Sequence, residues 1–343
     1  MVKTQSYKIT FTLLILLALI LFFINLNLGS VNITLKDFFS SFFTYEKNYS
    51  TPEYIIQSYR LPKAITAVLV GSGLGISGLL MQTMFRNPLA GPFVLGITSG
   101  ASLGVALVIM GASLLGGFAT HFLMNEWSIV IAASLGSFLV LLIVLIVSSK
   151  VRDTMAILII GLMFGSITAA IVSVLAYFSS AEELQQYIFW GFGSLGDLQW
   201  KELKIFAIVY AIGLVFTIAA IKGLNTLLLG ENYAKSLGLN IKRNRIIIVI
   251  AASLLAGTIT AFAGPIAFIG LAVPHLTRLL FNTSNHKILL PAVFILGAII
   301  MLICDSIAQL PNSDYTLPIN AITSLVGAPV VIWLLVRKRK MMF

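Results

Sequence analysis

Asp305 is the residue whose type and setting most suggest chemistry, a carboxylate near the end of an apolar run. Charge there is costly, so it marks either a transport role or a helix-end hydrogen bond, and the residue alone leaves both open. A lone carboxylate cannot form an aspartyl dyad, and no acidic relay of the kind a proton-driven carrier uses accompanies it. The histidines His121, His275 and His286 are scattered, and none stands in an HExxH arrangement that would put two metal ligands on one helix face. Cys304 is the single cysteine, which excludes an internal disulfide or a thiolate metal cluster. Gly73-Leu74-Gly75-Ile76-Ser77-Gly78 has the letters of a dinucleotide fingerprint. That motif needs a strand before it and an exposed helix start to receive pyrophosphate, whereas these glycines lie midway along an apolar stretch. No G-x-x-x-x-G-K-[ST] segment occurs, so the chain has no P-loop to cradle ATP. The residues supply no catalytic constellation, and the chain reads as a non-enzyme.

The elements that must position these residues are apolar runs at 9–28, 64–82, 93–110, 129–147, 155–178, 203–221, 246–263, 266–280, 288–308 and 319–336. Roughly 20 apolar residues cross a bilayer as a helix, because only a helix satisfies its own backbone groups in hydrocarbon. The 343-residue chain, 59% hydrophobic, is therefore expected to be an all-α, multi-pass membrane protein of about ten spans with both termini cytoplasmic. That threading places sixteen of the 22 basic residues inside, among them Arg337, Lys338, Arg339 and Lys340 of the tail; only Lys36, Lys47, Arg60, Lys63, Lys201 and Lys204 fall outside. The positive-inside bias accounts for the net charge of +10, which is thus not a nucleic-acid footprint. The first run lacks a small-residue cleavage site and is long enough to span, so it reads as a retained helix. No polar linker divides the chain, which gives one membrane domain over 1–343.

The longest outside segment, 29–59, carries a surface-helix pattern in which Thr34 caps and Leu35, Phe38, Phe39 and Phe42 form an apolar face. Ala90-Gly91-Pro92 and Ala263-Gly264-Pro265 recur about half a chain apart, each between two apolar runs and on opposite membrane faces. Proline removes a donor and glycine permits a sharp turn, so each site can break a helix. Two inverted five-helix repeats, about 1–180 and 200–343, would produce this pattern, as would a chance pair of Gly-Pro steps. Gly71 and Gly75, Gly100 and Gly104, and Gly161 and Gly165 are spaced for close helix packing. On the inner side, 222–245 is the one substantial loop. Within it Leu228 to Gly238 reads as a short helix, with Glu231 at its positive end and Gly238 at its stop. Leu228, Ala234 and Leu237 then form either a docking patch or an ordinary interfacial turn.

Several ordered segments resemble the FecCD or BtuC-like permeases of ABC importers for iron-siderophores, haem and cobalamin. They are RLPK at 60–63, GLLMQTMFRNPLAGPFVLGITSGASLG at 78–104, LLLGENYAKSLGLNIKRNR at 227–245, GPIAFIGLAVPHLTRLL at 264–280 and LPINAITSLVGAPVVIWLL at 317–335. The resemblance implies a type II importer fold in the bacterial or archaeal cytoplasmic (inner) membrane. The partners it implies are a second permease in a homo- or heterodimer, two cytoplasmic ATPases and an extracytoplasmic binding protein. It implies no cofactor on this chain, with ATP and Mg used by the ATPases, and a ferric siderophore or related metal chelate as cargo; haem or cobalamin is the alternative. An ion-coupled secondary carrier is the alternative of another class, and no coupling-ion site supports it.

By the same resemblance, Gly230, Glu231, Tyr233, Ala234, Leu237 and Gly238 belong to the helix that the ATPase grips. Arg60, Lys63 and Gln309 occupy the positions that meet carboxylates of the binding protein. Lys63 keeps a cation without the planar fork of arginine, and Gln309 stands where the family commonly has arginine. Gln82, Asn87, Pro88, Gly91, Pro92, Gly264 and Pro265 are candidates for a gate or pathway, or for satisfying carbonyls at helix ends. Pro274 and His275 are assigned to inner-side structure. The expected outcome in proteoliposomes is uptake that needs the ATPase; uptake driven by an ion gradient alone would select the carrier.

Overall fold

The computed structural model describes residues 4–29, 31, 33, 51–111, 126–150, 154–309 and 315–336, and every regular element among them is helical. In chain order these are α1 (Thr4–Asn27), α2 (Thr51–Ile55), a π-helical turn (Ile56–Arg60) and α3 (Leu61–Phe85). A 3-10 turn (Pro92–Leu95) leads into α4 (Ile97–Ile109), α5 (Glu126–Lys150), α6 (Thr154–Phe178) and α7 (Ala181–Phe192). The second half holds α8 (Trp200–Leu227), α9 (Glu231–Ser236), α10 (Ile241–Ala263), α11 (Ile269–Phe281), α12 (His286–Ala308) and α13 (Ile319–Val336). The expected cap at Thr34 and its apolar face, His121, Arg152 and the basic tail lie outside the described residues.

Seven of these helical stretches are long and apolar enough to cross a membrane, and three shorter apolar helices, Ile97–Ile109, Ile269–Phe281 and Ile319–Trp333, accompany them. The apolar stretch containing α3 is 83% buried and that of α6 only 11%. Helix α3 is thus the central post, and α6 lies at the rim, with its side chains left to lipid or to another chain. Around α3 pack α12, α10, α11 and α8; α5 packs on both α4 and α10, and α1 lies on α12. Small residues permit this density, since in lipid the attraction between helices comes from close van der Waals contact. A Cβ on Gly71 would overlap the Gly297 carbonyl oxygen, and one on Gly78 would overlap that of Gly270. Both contacts bring backbone against backbone.

The two short helices, α4 and α11, are each 13 residues long because each begins inside the bundle. Ser77 donates to the Ala252 carbonyl at 3.0 Å, which sets those two residues at one level. From there α10 runs eleven residues to Ala263, about 16 Å at 1.5 Å per residue. Gly264 (φ +76°) ends it, and by Gly270 the chain is back against Gly78. In the first half, the Ile97 carbonyl accepts from Ser137 Oγ at 3.2 Å, and the Ile97 side chain lies beside Gly257, so α4 starts alongside the interior of α10. Pro92 stands against Gly270: a Cβ there would lie 3.0 Å from Pro92 Cδ. The turn that follows the first break therefore meets the start of α11.

Gly78→Ala should lower the thermal midpoint of the detergent-purified protein, by about 1–3 kcal/mol of overpacking, since a backbone oxygen cannot move aside. Gly191→Ala is the control, because a Cβ there meets nothing within 4 Å; it should leave the midpoint unchanged or raise it.

Candidate functional site: the short helix α9, the chain breaks and the Asp305 network

Helix α9 is a single short turn-and-a-half, Glu231–Ser236, within the longer stretch expected from sequence. Gly230 (φ +99°) turns the chain out of α8 into it, and Gly238 (φ +81°) ends it. Leu239 N donates to the Ala234 carbonyl at 3.0 Å and Gly238 N to that of Lys235 at 2.9 Å, the paired closing bonds of a Schellman motif. Asn240 then caps α10 by accepting from Arg243 N at 3.0 Å. Glu231 Oε1 receives Arg245 Nη2 at 2.6 Å, which fastens the start of α9 to the first turns of α10. Ala234 is fully buried, facing the bundle and not the solvent, while Leu229, Tyr233 and Leu237 are exposed. The apolar patch expected from Leu228, Ala234 and Leu237 is thus corrected to Leu229, Tyr233 and Leu237. A helix of this length places its anchor and its knobs on opposite sides.

At the inner end of α3, Gln82 is fully buried. Its Oε1 accepts from Arg278 Nη1 at 2.6 Å, and its Nε2 donates to the Leu271 carbonyl at 3.2 Å, so both ends of its amide hold α11. Asn87 N bonds back to the Gln82 carbonyl at 3.1 Å, and Asn87 Oδ1 accepts from Leu89 N at 2.9 Å across half-buried Pro88. Gly91 and Pro92 follow, buried, and lead to the meeting point with Gly270. His275 and Pro274 sit within α11. His286, which the motifs did not single out, bridges Thr83 Oγ1 at 2.9 Å and Asn225 Oδ1 at 2.8 Å, so it joins α3, α8 and α12.

At the outer break, Gly264 and Gly193 come together: Ser194 N donates to the Ala263 carbonyl at 3.0 Å, and a Cβ on Gly264 would lie 2.8 Å from the Trp190 carbonyl oxygen. Pro265 continues the extended segment. Ala267 N donates to Asn320 Oδ1 at 3.1 Å, and Asn320 Nδ2 reaches the Gly191 carbonyl at 3.4 Å. One amide at the head of α13 therefore ties the outer break to α7. Helix α7 has no counterpart among the expected spans, because it is amphipathic and not apolar throughout. Its signal was local: Ser180 and Glu183 form a reciprocal capping box.

Arg60, Lys63 and Gln309 line one cavity of about 220 Å³. All three are engaged within the chain. Arg60 is 8% exposed; its Nη1 donates to the Leu26 carbonyl at 3.1 Å and the Asn27 carbonyl at 3.0 Å, its Nη2 donates to the Val31 carbonyl, and Gly29 passes close against the guanidinium. It closes the carbonyl end of α1. Lys63 Nζ lies 3.2 Å from Asp305 Oδ1, while Asp305 Oδ2 accepts from Asn25 and Gln309 at 2.8 Å each. Asp305, 2% exposed, is thus the acceptor that joins α1, α3 and α12. Its fully engaged oxygens favour the structural use over the transport use. Among the described residues no group of three His, Cys, Asp or Glu gathers where it could hold a metal ion.

Asp305→Ala leaves three donors facing an empty acceptor site. It should cost about 3 kcal/mol, the low end for breaking a buried pair, since Lys63 keeps 22% side-chain exposure. Thermal unfolding of the purified variant measures it.

A model of the FecCD transport family matches residues 16–337. The vitamin B12 import system permease protein BtuC of Klebsiella pneumoniae is 37% identical over 288 residues, 84% of each chain. Its namesake in Salmonella paratyphi A is 34% identical over 289 residues, 84% of this chain and 85% of that one. A solved structure described as an inward-facing conformation of a metal-chelate type ABC transporter superposes with a TM-score of 0.83 at 31% identity, over 97% of this chain and 99% of the other. The PsaBC structure from Streptococcus pneumoniae, 15% identical with a TM-score of 0.56 over 88% of this chain and 95% of that one, shares the fold. The match spans nearly the whole chain and agrees with the apolar multi-pass bundle and its two chain breaks: this protein belongs to the FecCD transport family.

Proposed function

We propose that this chain is the permease subunit of an ATP-driven importer of a large metal chelate, with a cobalamin-type corrinoid as the first reading of the cargo. Sequence alone put a ferric siderophore first. The relatives named for vitamin B12 import, at 34–37% identity over 84% of the chain, favour the corrinoid, and the siderophore becomes the second reading. Ten spans in two inverted repeats suit the pair of 13-residue helices that follow matching Ala-Gly-Pro breaks, and α3 packs on α12 as α10 packs on α5. With the N-terminus cytoplasmic, α9 lies on the inner face and the Lys63–Asp305 network on the outer one. The chain then sits in the cytoplasmic membrane with a second permease, the same or related, two ATPases that use ATP and Mg, and a binding protein that delivers the cargo.

The observation that carries this reading is α9: an apolar knob of Leu229, Tyr233 and Leu237 on a helix anchored by Ala234 and by the Glu231–Arg245 pair. Closure of the ATPases would push the knob, and the anchor would pass the push to α10 and α8, so that packed bundles rock as bodies. At the outer mouth Lys63 is the docking cation with solvent access, Gln309 makes its neighbour position neutral, and Arg60 shapes the segment after α1. An exposed ion pair there adds about 0–1 kcal/mol, enough to orient a partner without holding it.

The test is ATP-driven uptake of labelled cobalamin and of a ferric siderophore by the reconstituted complex, with wild type and with the Tyr233→Ala, Leu237→Asp double variant. Cobalamin uptake by wild type, and its loss in the variant while the permease dimer stays intact, supports the reading. Unchanged uptake in the variant contradicts it, and siderophore uptake in place of cobalamin selects the second cargo.

A further inference from the structure

A groove of about 440 Å³ runs between α5 and α8 over α10, on which both pack. Three helical stripes, each at four-residue spacing, face it. Helix α5 supplies Trp127, Ile131 and Leu135, and α10 supplies Leu254, Thr258 and Phe262. Helix α8 supplies Ile205 and Val209, with Lys201 one turn above them. Gly257 makes room in the floor, where Ser253 Oγ is buried without a hydrogen-bond partner. The groove is lined almost wholly by apolar side chains and presents no charged group along its length. One acyl tail fits it.

The outer end of the groove opens on a second cavity of about 200 Å³, and the two share Trp127, Val130 and Phe262. That cavity holds the carboxylates of Asp197 and Glu202, and Glu202 Oε2 is buried with no hydrogen-bond partner. Leaving such an oxygen unmade costs free energy that a donor from outside would recover. Lys201 Nζ stands 5.6 Å from the centre of the Trp127 ring, which lines both cavities. An apolar trough, an ammonium and a pair of carboxylates thus neighbour one another along this wall. A zwitterionic phospholipid with a primary amine has the complementary set of acyl chain, phosphate and ammonium.

We propose that this wall binds one outer-leaflet phospholipid of the phosphatidylethanolamine class. Its tail lies in the α5–α8 groove, its phosphate meets Lys201, and its ammonium donates to Glu202 with Asp197 beside it. The choline headgroup has no N–H to give Glu202, and the glycerol headgroup brings no cation. This site rests on the chain being in a bilayer with the orientation proposed above and not on its cargo or partners, so its failure leaves the permease reading untouched.

The test places the purified permease in vesicles of unlabelled lipid doped with one brominated-acyl phospholipid at a time. The readout is the part of the tryptophan quenching that disappears in Trp127→Phe. Brominated phosphatidylethanolamine should quench it about threefold or more above phosphatidylcholine or phosphatidylglycerol at equal mole fraction, as one charge-assisted bond at an interface would give. Glu202→Gln should erase that preference, Lys201→Ala should weaken quenching by all three, and Gly257→Leu should fill the trough and do the same. Equal quenching by the three lipids in wild type means ordinary boundary lipid and overturns the proposal. A preference for phosphatidylglycerol overturns the role of Glu202. With the conservative Trp127→Phe as reference, the wild-type comparison among the three lipids decides even if the Glu202, Lys201 or Gly257 variant fails to fold.

Discussion

Backbone polar groups at membrane depth must find partners inside the protein, and the two chain breaks make that requirement acute. Each leaves a stretch of non-helical chain within the bundle. The first is closed by Asn87 and by the bond from Asn87 N to Gln82, and the second by Asn320 and by the backbone contact of Gly193 with Gly264. Because α4 and α11 begin after those breaks, they are half-helices that start within the bundle. Gly78 gives α11 room to approach the central post α3.

The same economy appears at the two ends of the bundle. At one, a single buried carboxylate, Asp305, gathers donors from α1, α3 and its own helix, and Arg60 closes the end of α1. At the other, one ion pair, Glu231 with Arg245, fixes a six-residue helix to a long one. Both devices make a surface element move with a membrane helix and not independently of it. An importer that converts motion at one face into opening at the other needs such stiffness.

Apolar runs were legible because hydropathy alone marks them, and α13 began and ended where the run did. The second half-helix was legible as a short run after Gly264-Pro265, whereas α4 is shorter than the full run expected at 93–110. Contacts between distant residues were not: Asp305 meets Asn25 across 280 positions, and nothing local announces it. Arg60 reads as an exposed cation because it precedes a helix, yet its fork suits three carbonyls at the end of α1, and it is buried there. Ala234 reads from the sequence as part of a docking patch or of an ordinary turn, whereas the rotation of α9, set by the turns at Gly230 and Gly238, buries it. Helix α7 is no uninterrupted apolar stretch, and its local signal is the Ser180–Glu183 cap.

The central claim is that α9 rides on α10 as one body while the permease halves move. Spin labels at Asn232 and Lys242 report the distance within that body, and Asn232 paired with its counterpart in the second permease reports the distance between halves. The account predicts that nucleotide binding by the ATPases shifts the distance between halves and leaves the internal one fixed and narrow. A nucleotide-dependent shift or broadening of the Asn232–Lys242 distance would contradict it.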